Sequence, residues 1–154
     1  MKAIRKILSI GLVVSLVSSF SLVASAEDVQ TPLIGAEQSL LDSDPALRYT
    51  LIMNGSVSIT ETGQGLISLY GQTSPIGVAD VVSISLYAER LNGNTWVSAG
   101  SIPKAIDYNS VGTGTYGTLK VSRGYYYRGR AVHSVKKGTQ TESAVSYTQG
   151  IWIG

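Results

Sequence analysis

Asp80–Arg90 reads DVVSISLYAER. Val82, Ile84, Leu86 and Ala88 occupy every second position, with Ser83, Ser85, Tyr87 and Glu89 between them. Successive side chains of a strand point to opposite faces, so this period predicts a β-strand with its aliphatic side in a core. Leu91-Asn92-Gly93-Asn94 follows, and asparagine–glycine after such a run is a hairpin signal. The chain returns over Thr95–Ile102 with Trp96 and Val97, and Pro103–Ser110 reads as a loop.

The same period with turn punctuation extends in both directions. Upstream, Arg48–Met53 is a short apolar segment ended by Asn54-Gly55. Ser56–Thr62 alternates around Val57 and Ile59, and Gly63-Gln64-Gly65 turns the chain. Leu66–Thr73 then sets Ile67, Leu69 and Gly71 on one side and Ser68 and Tyr70 on the other, before a connection over Pro75–Ala79. Downstream, Gly114–Val121 is a strand, Ser134–Thr141 (SVKKGTQT) a basic hairpin loop, and Ser143–Ile153 the last strand. About seven short strands separated by turns predict an all-β domain, a sandwich or barrel.

Ser122–Ser134, SRGYYYRGRAVHS, concentrates three tyrosines, three arginines and the only histidine. Alternation splits it into Tyr125, Tyr127, Gly129, Ala131 and His133 on one face, and Tyr126, Arg128, Arg130 and Val132 on the other. Unpaired buried arginines are costly, so the first set is expected inward. Small residues among the inward rings leave room for a facing side chain, with Trp96 or Trp152 as candidates. His133, inward near a strand end, reads as a structural ring.

The N-terminus has a different character. Lys2, Arg5 and Lys6, the apolar run Ile7–Val23 and Ala24-Ser25-Ala26 form a secretory signal peptide over residues 1–26. Residues 27–47 carry five acids and no bases and read as a flexible linker, with one helical turn near Ala36–Leu41. The β-domain then spans 48–154. Removal of Lys2, Arg5 and Lys6 leaves nine basic residues against ten acidic, so the alkaline balance belongs to the leader and gives no argument for nucleic acid. With no cysteine there are no disulfides, thiolate metal sites or lipoprotein anchor. The expectation is a secreted, extracellular protein, off the membrane after cleavage.

Leu119–Tyr127 (LKVSRGYYY) resembles the E–F corner of fibronectin type III and immunoglobulin-like sandwiches, where a leucine precedes a corner tyrosine by six residues. The resemblance implies an antiparallel β-sandwich with Tyr125 as the corner tyrosine; the usual proline is missing, and Gly129 stands for a β-branched residue. More closely, residues 48–154 resemble a family of small secreted proteins of Gram-positive bacteria, a domain of unknown function. The resembling pieces are Asn54-Gly55-Ser56, Leu86–Arg90 with Asn92-Gly93 and Trp96, Gly124–His133, Thr141-Glu142-Ser143 and Gly150–Ile153. That likeness implies export and carries over no functional residue.

No chemistry-bearing motif stands out. Gly63-Gln64-Gly65 and Gly112-Thr113-Gly114 lack a following helix or Walker lysine, so neither is a phosphate loop, and no cofactor is expected. A zinc site would rest on scattered carboxylates, since there is one histidine. If the strands Asp80–Arg90 and Gly124–Ser134 are neighbours, Tyr87, Tyr126, Arg128 and Arg130 share an outer face with Glu89, and Lys136 and Lys137 sit in the adjacent loop. Tyrosine with arginine suits a binding surface. The expected function is a non-enzymatic binding module for a cell-wall polymer, carbohydrate or protein. Alternatives are a self-associating matrix protein, through edge strands or the apolar C-terminal strand, and a small secreted hydrolase or toxin-like effector.

Overall fold

The computed structural model describes residues 49–154 in full and residues 35–39 as backbone. Residues 1–26, read as a signal peptide, and most of the stretch read as an acidic linker lie outside the described residues. Among the described residues, alternation of apolar and polar positions yields nine strands: β1 (Gly35–Ser39), β2 (Ile52–Gly63), β3 (Leu66–Pro75), β4 (Ala79–Asn92), β5 (Thr95–Ser110), β6 (Thr113–Lys120), β7 (Tyr125–Lys137), β8 (Gln140–Tyr147) and β9 (Ile151–Ile153). They form two antiparallel sheets, ordered β1-β2-β3-β6 and β5-β4-β7-β8, with β9 also paired to β7.

The inward positions of both sheets meet in one sandwich-like core. Val57, Ile59, Ile67 and Leu69 of the first sheet join Ile84, Leu86, Ala88, Tyr127, Ala131, Ile151 and Ile153 of the second. A smaller cluster of Ile52, Ala79, Val82, Val135 and Ala144 extends it. The sheets approach closely because a glycine stands where a side chain would not fit. A Cβ on Gly71 would lie 2.6 Å from Leu86 Cδ2 and 2.9 Å from Ile84 Cδ1. Filling that space forces the aliphatic residues off their rotamers, at a cost of about 1–3 kcal/mol.

Several local expectations change. Asn54-Gly55 is no turn but lies within β2, where the register against β3 shifts between Ile52 and Asn54. Pro103–Ser110 is strand rather than loop. Among the described residues β5 is an edge paired only with β4, and its register shift lies between Ile102 and Ala105, so Pro103 removes no required ladder bond. Gly35–Ser39, assigned to the linker with a helical turn, pairs antiparallel with Ser56–Thr60.

The last strand is two, β8 and β9, interrupted opposite Gly129. There the Thr148 amide donates to Gly129 O, and the Gly129 amide donates to Thr148 Oγ1, both at 2.9 Å. A threonine side chain thus supplies the acceptor that a continuous strand would have supplied. In the apolar C-terminal strand Ile151 and Ile153 are buried in the core, and Trp152 between them is 44% exposed.

The bond back to the upstream backbone expected of Tyr125 is made by Tyr127 instead. Its hydroxyl donates to Ser122 O at 2.8 Å, and the residue six positions before it is the buried Val121. Tyr125 has the same parity but lies past the end of the core, where the Arg90 guanidinium stacks 4.5 Å from its ring centroid.

His133 bridges the two sheets. It is fully buried, with Nδ1 2.8 Å from Thr73 Oγ1 on β3 and Nε2 2.8 Å from Ser146 Oγ on β8. A hydroxyl donates or accepts, so either neutral tautomer satisfies both contacts. Burial, which penalises the charged ring, lowers its pKa to about 4.

Glu142 ties down the entry of the domain. Its carboxylate accepts from the amides of Thr50, Leu51 and Ile52 at 2.9, 2.8 and 2.7 Å and from the Thr50 hydroxyl at 3.2 Å. Desolvation raises its pKa, but these four hydrogen bonds to the charged form outweigh it and the net shift is downward.

Candidate functional site

Pairing of β4 with β7 places Glu89 opposite Arg128 and Tyr87 opposite Arg130. All four alternate with core residues, so they share the outer face of the second sheet, as expected from parity. Tyr126 continues that row and pairs with Trp152 of β9, while Tyr147 of β8 pairs with Arg130. Trp96 of β5 pairs with Leu91 and reaches the same face.

Arg128 sits at the centre. Its Nε donates to Glu89 Oε2 at 2.8 Å, and Nη2 lies 2.7 Å from the same oxygen. Its guanidinium is 4.6 Å from the Trp96 ring centroid and 4.4 Å from that of Tyr147. Contacts of this kind are worth roughly 0.5–1 kcal/mol each at exposed sites, so their main effect is to hold the side chain and both rings in one arrangement. Arg130 is looser: its guanidinium lies 5.1 Å from the Tyr87 centroid, and its Nε is 3.9 Å from Glu89 Oε1.

Beside this frame Tyr126 and Trp152 form an edge-to-face pair with centroids 5.2 Å apart and planes at 61°. They remain 47% and 44% exposed, and such large aromatic area held rigidly is what recognition surfaces use. Both tryptophans therefore lie outside. Neither fills the space beside Gly129, where Val57, Leu69 and Thr148 stand within contact of a Cβ position. The alternation Ile151-Trp152-Ile153 carries this signal, since two buried isoleucines put the residue between them outward.

Lys136 and Lys137 are not in a loop and are not part of the aromatic cluster. They end β7, and the turn is confined to Gly138-Thr139. Lys136 keeps the parity of Arg130 but stands six residues along the strand, about 20 Å away at ~3.3 Å per residue. Lys137 has the opposite parity. Asp80 holds the turn by accepting from the Gly138 amide at 2.7 Å.

No family model, curated protein or solved structure matches the chain.

Proposed function

We propose that the protein is an exported, non-enzymatic binding module, an immunoglobulin- or fibronectin III-like β-sandwich of the small secreted Gram-positive family it resembles. It engages an extracellular ligand through the Tyr87, Tyr126, Arg128 and Arg130 face, extended by Trp152 and Tyr147. The observation that carries this reading is the half-exposed Tyr126–Trp152 pair beside a guanidinium stacked on both sides. The leader-like residues 1–26 support export, and the Tyr127 hydroxyl bonded to Ser122 O supports the sandwich relationship. His133, enclosed between two hydroxyls in the core, favours packing over catalysis.

Arg128 serves as framework in this reading, because Glu89 and two rings already occupy it. Arg130 and the exposed rings meet the ligand. Co-sedimentation of the purified protein with isolated Gram-positive cell walls tests the proposal. Retention that falls in Tyr126→Ala and Arg130→Ala, while Lys137→Ala is unaffected, is the expected result. Equal retention of all three rejects it.

Self-association is a second reading, favoured by a different observation. Met53, Ile76, Val78, Tyr108 and Val111 are 50% exposed or more at the end of the sheets where β3 passes to β4 and β5 to β6. Size-exclusion elution that moves earlier with concentration supports it, and a constant monomer volume excludes it.

A further inference from the structure

A second recessed site lies on the other sheet, away from the Tyr126–Trp152 pair. The end of β3 and the start of β6 border an open, shallow cleft of about 340 Å³, flanked by Asp107 of β5. That volume is at the small end of ligand sites, enough for one sugar-sized molecule. We propose that this cleft binds a neutral, hydroxyl-rich ligand of the size of a single sugar residue.

The lining chemistry selects that class. Asp107 has no hydrogen-bond or ion-pair partner among the described residues, so both carboxylate oxygens are free to accept from hydroxyls. Gln72 Oε1 is taken by the Tyr70 hydroxyl at 3.1 Å, which directs its amide nitrogen, a double donor, toward other acceptors. A carboxylate that accepts and an amide that donates match the vicinal hydroxyls of a sugar, each of which does both.

Tyr70 is 46% exposed and supplies an aromatic surface for the C–H side of such a ring. Gly112 and Gly114 line the cleft without side chains, with the Gly112 amide and carbonyl held by the Ser110 hydroxyl at 3.2 and 2.7 Å.

Other ligand classes fit less well. No lysine or arginine lines the cleft, and Asp107 is its only charge, so an anion is repelled. One carboxylate and an amide oxygen already engaged by a tyrosine are too few for a calcium ion, which takes six or more oxygens. Among the described residues no three acidic or histidine side chains cluster.

Amide chemical shifts of the purified protein, followed during titration with glucose and with N-acetylglucosamine, test the assignment. Millimolar saturable shifts at Tyr70, Gln72 and Gly112–Gly114 are expected with at least one sugar, weakened about tenfold or more in Asp107→Ala and in Gln72→Ala. Both substitutions are at exposed positions, and unchanged spectra elsewhere report that the variants fold. Absence of shifts with either sugar overturns the proposal, as do shifts that survive both substitutions, or shifts produced only by calcium chloride or inorganic phosphate. Tyr126→Ala must leave this titration unchanged, so the fate of the cleft is independent of the outer face of the second sheet.

Discussion

The two faces of β7 are built from overlapping residue types and end in opposite conditions. Inward, Tyr127, Gly129, Ala131 and His133 are sealed, and each polar atom with a role there has a fixed partner: Tyr127 on Ser122 O, the ring of His133 on two hydroxyls. Outward, Tyr126 and Arg130 sit on a frame made by Arg128, Glu89, Trp96 and Tyr147 and keep surface in reserve. A tyrosine in the core contributes area and one hydrogen bond. The tyrosine next to it contributes neither to the core and is available to a ligand.

The contrast is broken most severely by truncation. Tyr127→Ala removes a fully buried ring and is expected to lower unfolding free energy by about 3–5 kcal/mol in urea titration. Tyr126→Ala is expected to stay within about 1 kcal/mol, since surface substitutions away from special features cost little.

Acid acts on the inner face through His133. The His133 pKa is near 4 folded against 6.5 unfolded, so below pH 6.5 the unfolded chain binds the proton first. The stability conferred by the neutral ring is complete above pH 6.5 and is lost progressively toward pH 4, by about 3 kcal/mol at 1.36 kcal/mol per unit. Glu142, whose carboxylate is held charged, adds a loss in the same direction at lower pH, below its ordinary range. Urea midpoints measured from pH 8 to 4 check this. A flat profile contradicts the burial of a neutral histidine.

A smaller effect is expected at the frame. Arg128→Ala forfeits stacking on Trp96 and Tyr147 and leaves Glu89 with Arg130 at 3.9 Å, a loss of about 1–2 kcal/mol. Arg128→Lys recovers little of it, because an ammonium does not stack as a planar guanidinium does. Thermal unfolding of the two variants separates charge from shape.

Much of this division was readable from alternation. Val82–Ala88 and Tyr127–His133 announce their inward sets, and a buried pair of arginines is costly enough to fix which side of β7 is outside. What alternation does not give is where a strand meets the end of the core. Tyr125 and Tyr127 share a parity, and only the packed structure distinguishes the one that reaches Ser122 O. Nor does it give register between distant strands. Trp96, Tyr147 and Trp152 join the site from β5, β8 and β9, where Trp96 pairs with Leu91, Tyr147 with Arg130 and Trp152 with Tyr126. Asn54-Gly55 and Pro103 carry strong turn and loop signals that a register irregularity and an edge position absorb.

The comparison of Tyr126 with Tyr127 tests the central claim most directly. The quantity is the fraction of protein retained on isolated cell walls, measured for Tyr126→Ala and Tyr127→Phe under conditions where both are folded. The account predicts that Tyr126→Ala loses retention and that Tyr127→Phe, which forfeits only a hydroxyl inside the fold, binds as the native protein does. Undiminished retention of Tyr126→Ala would contradict it.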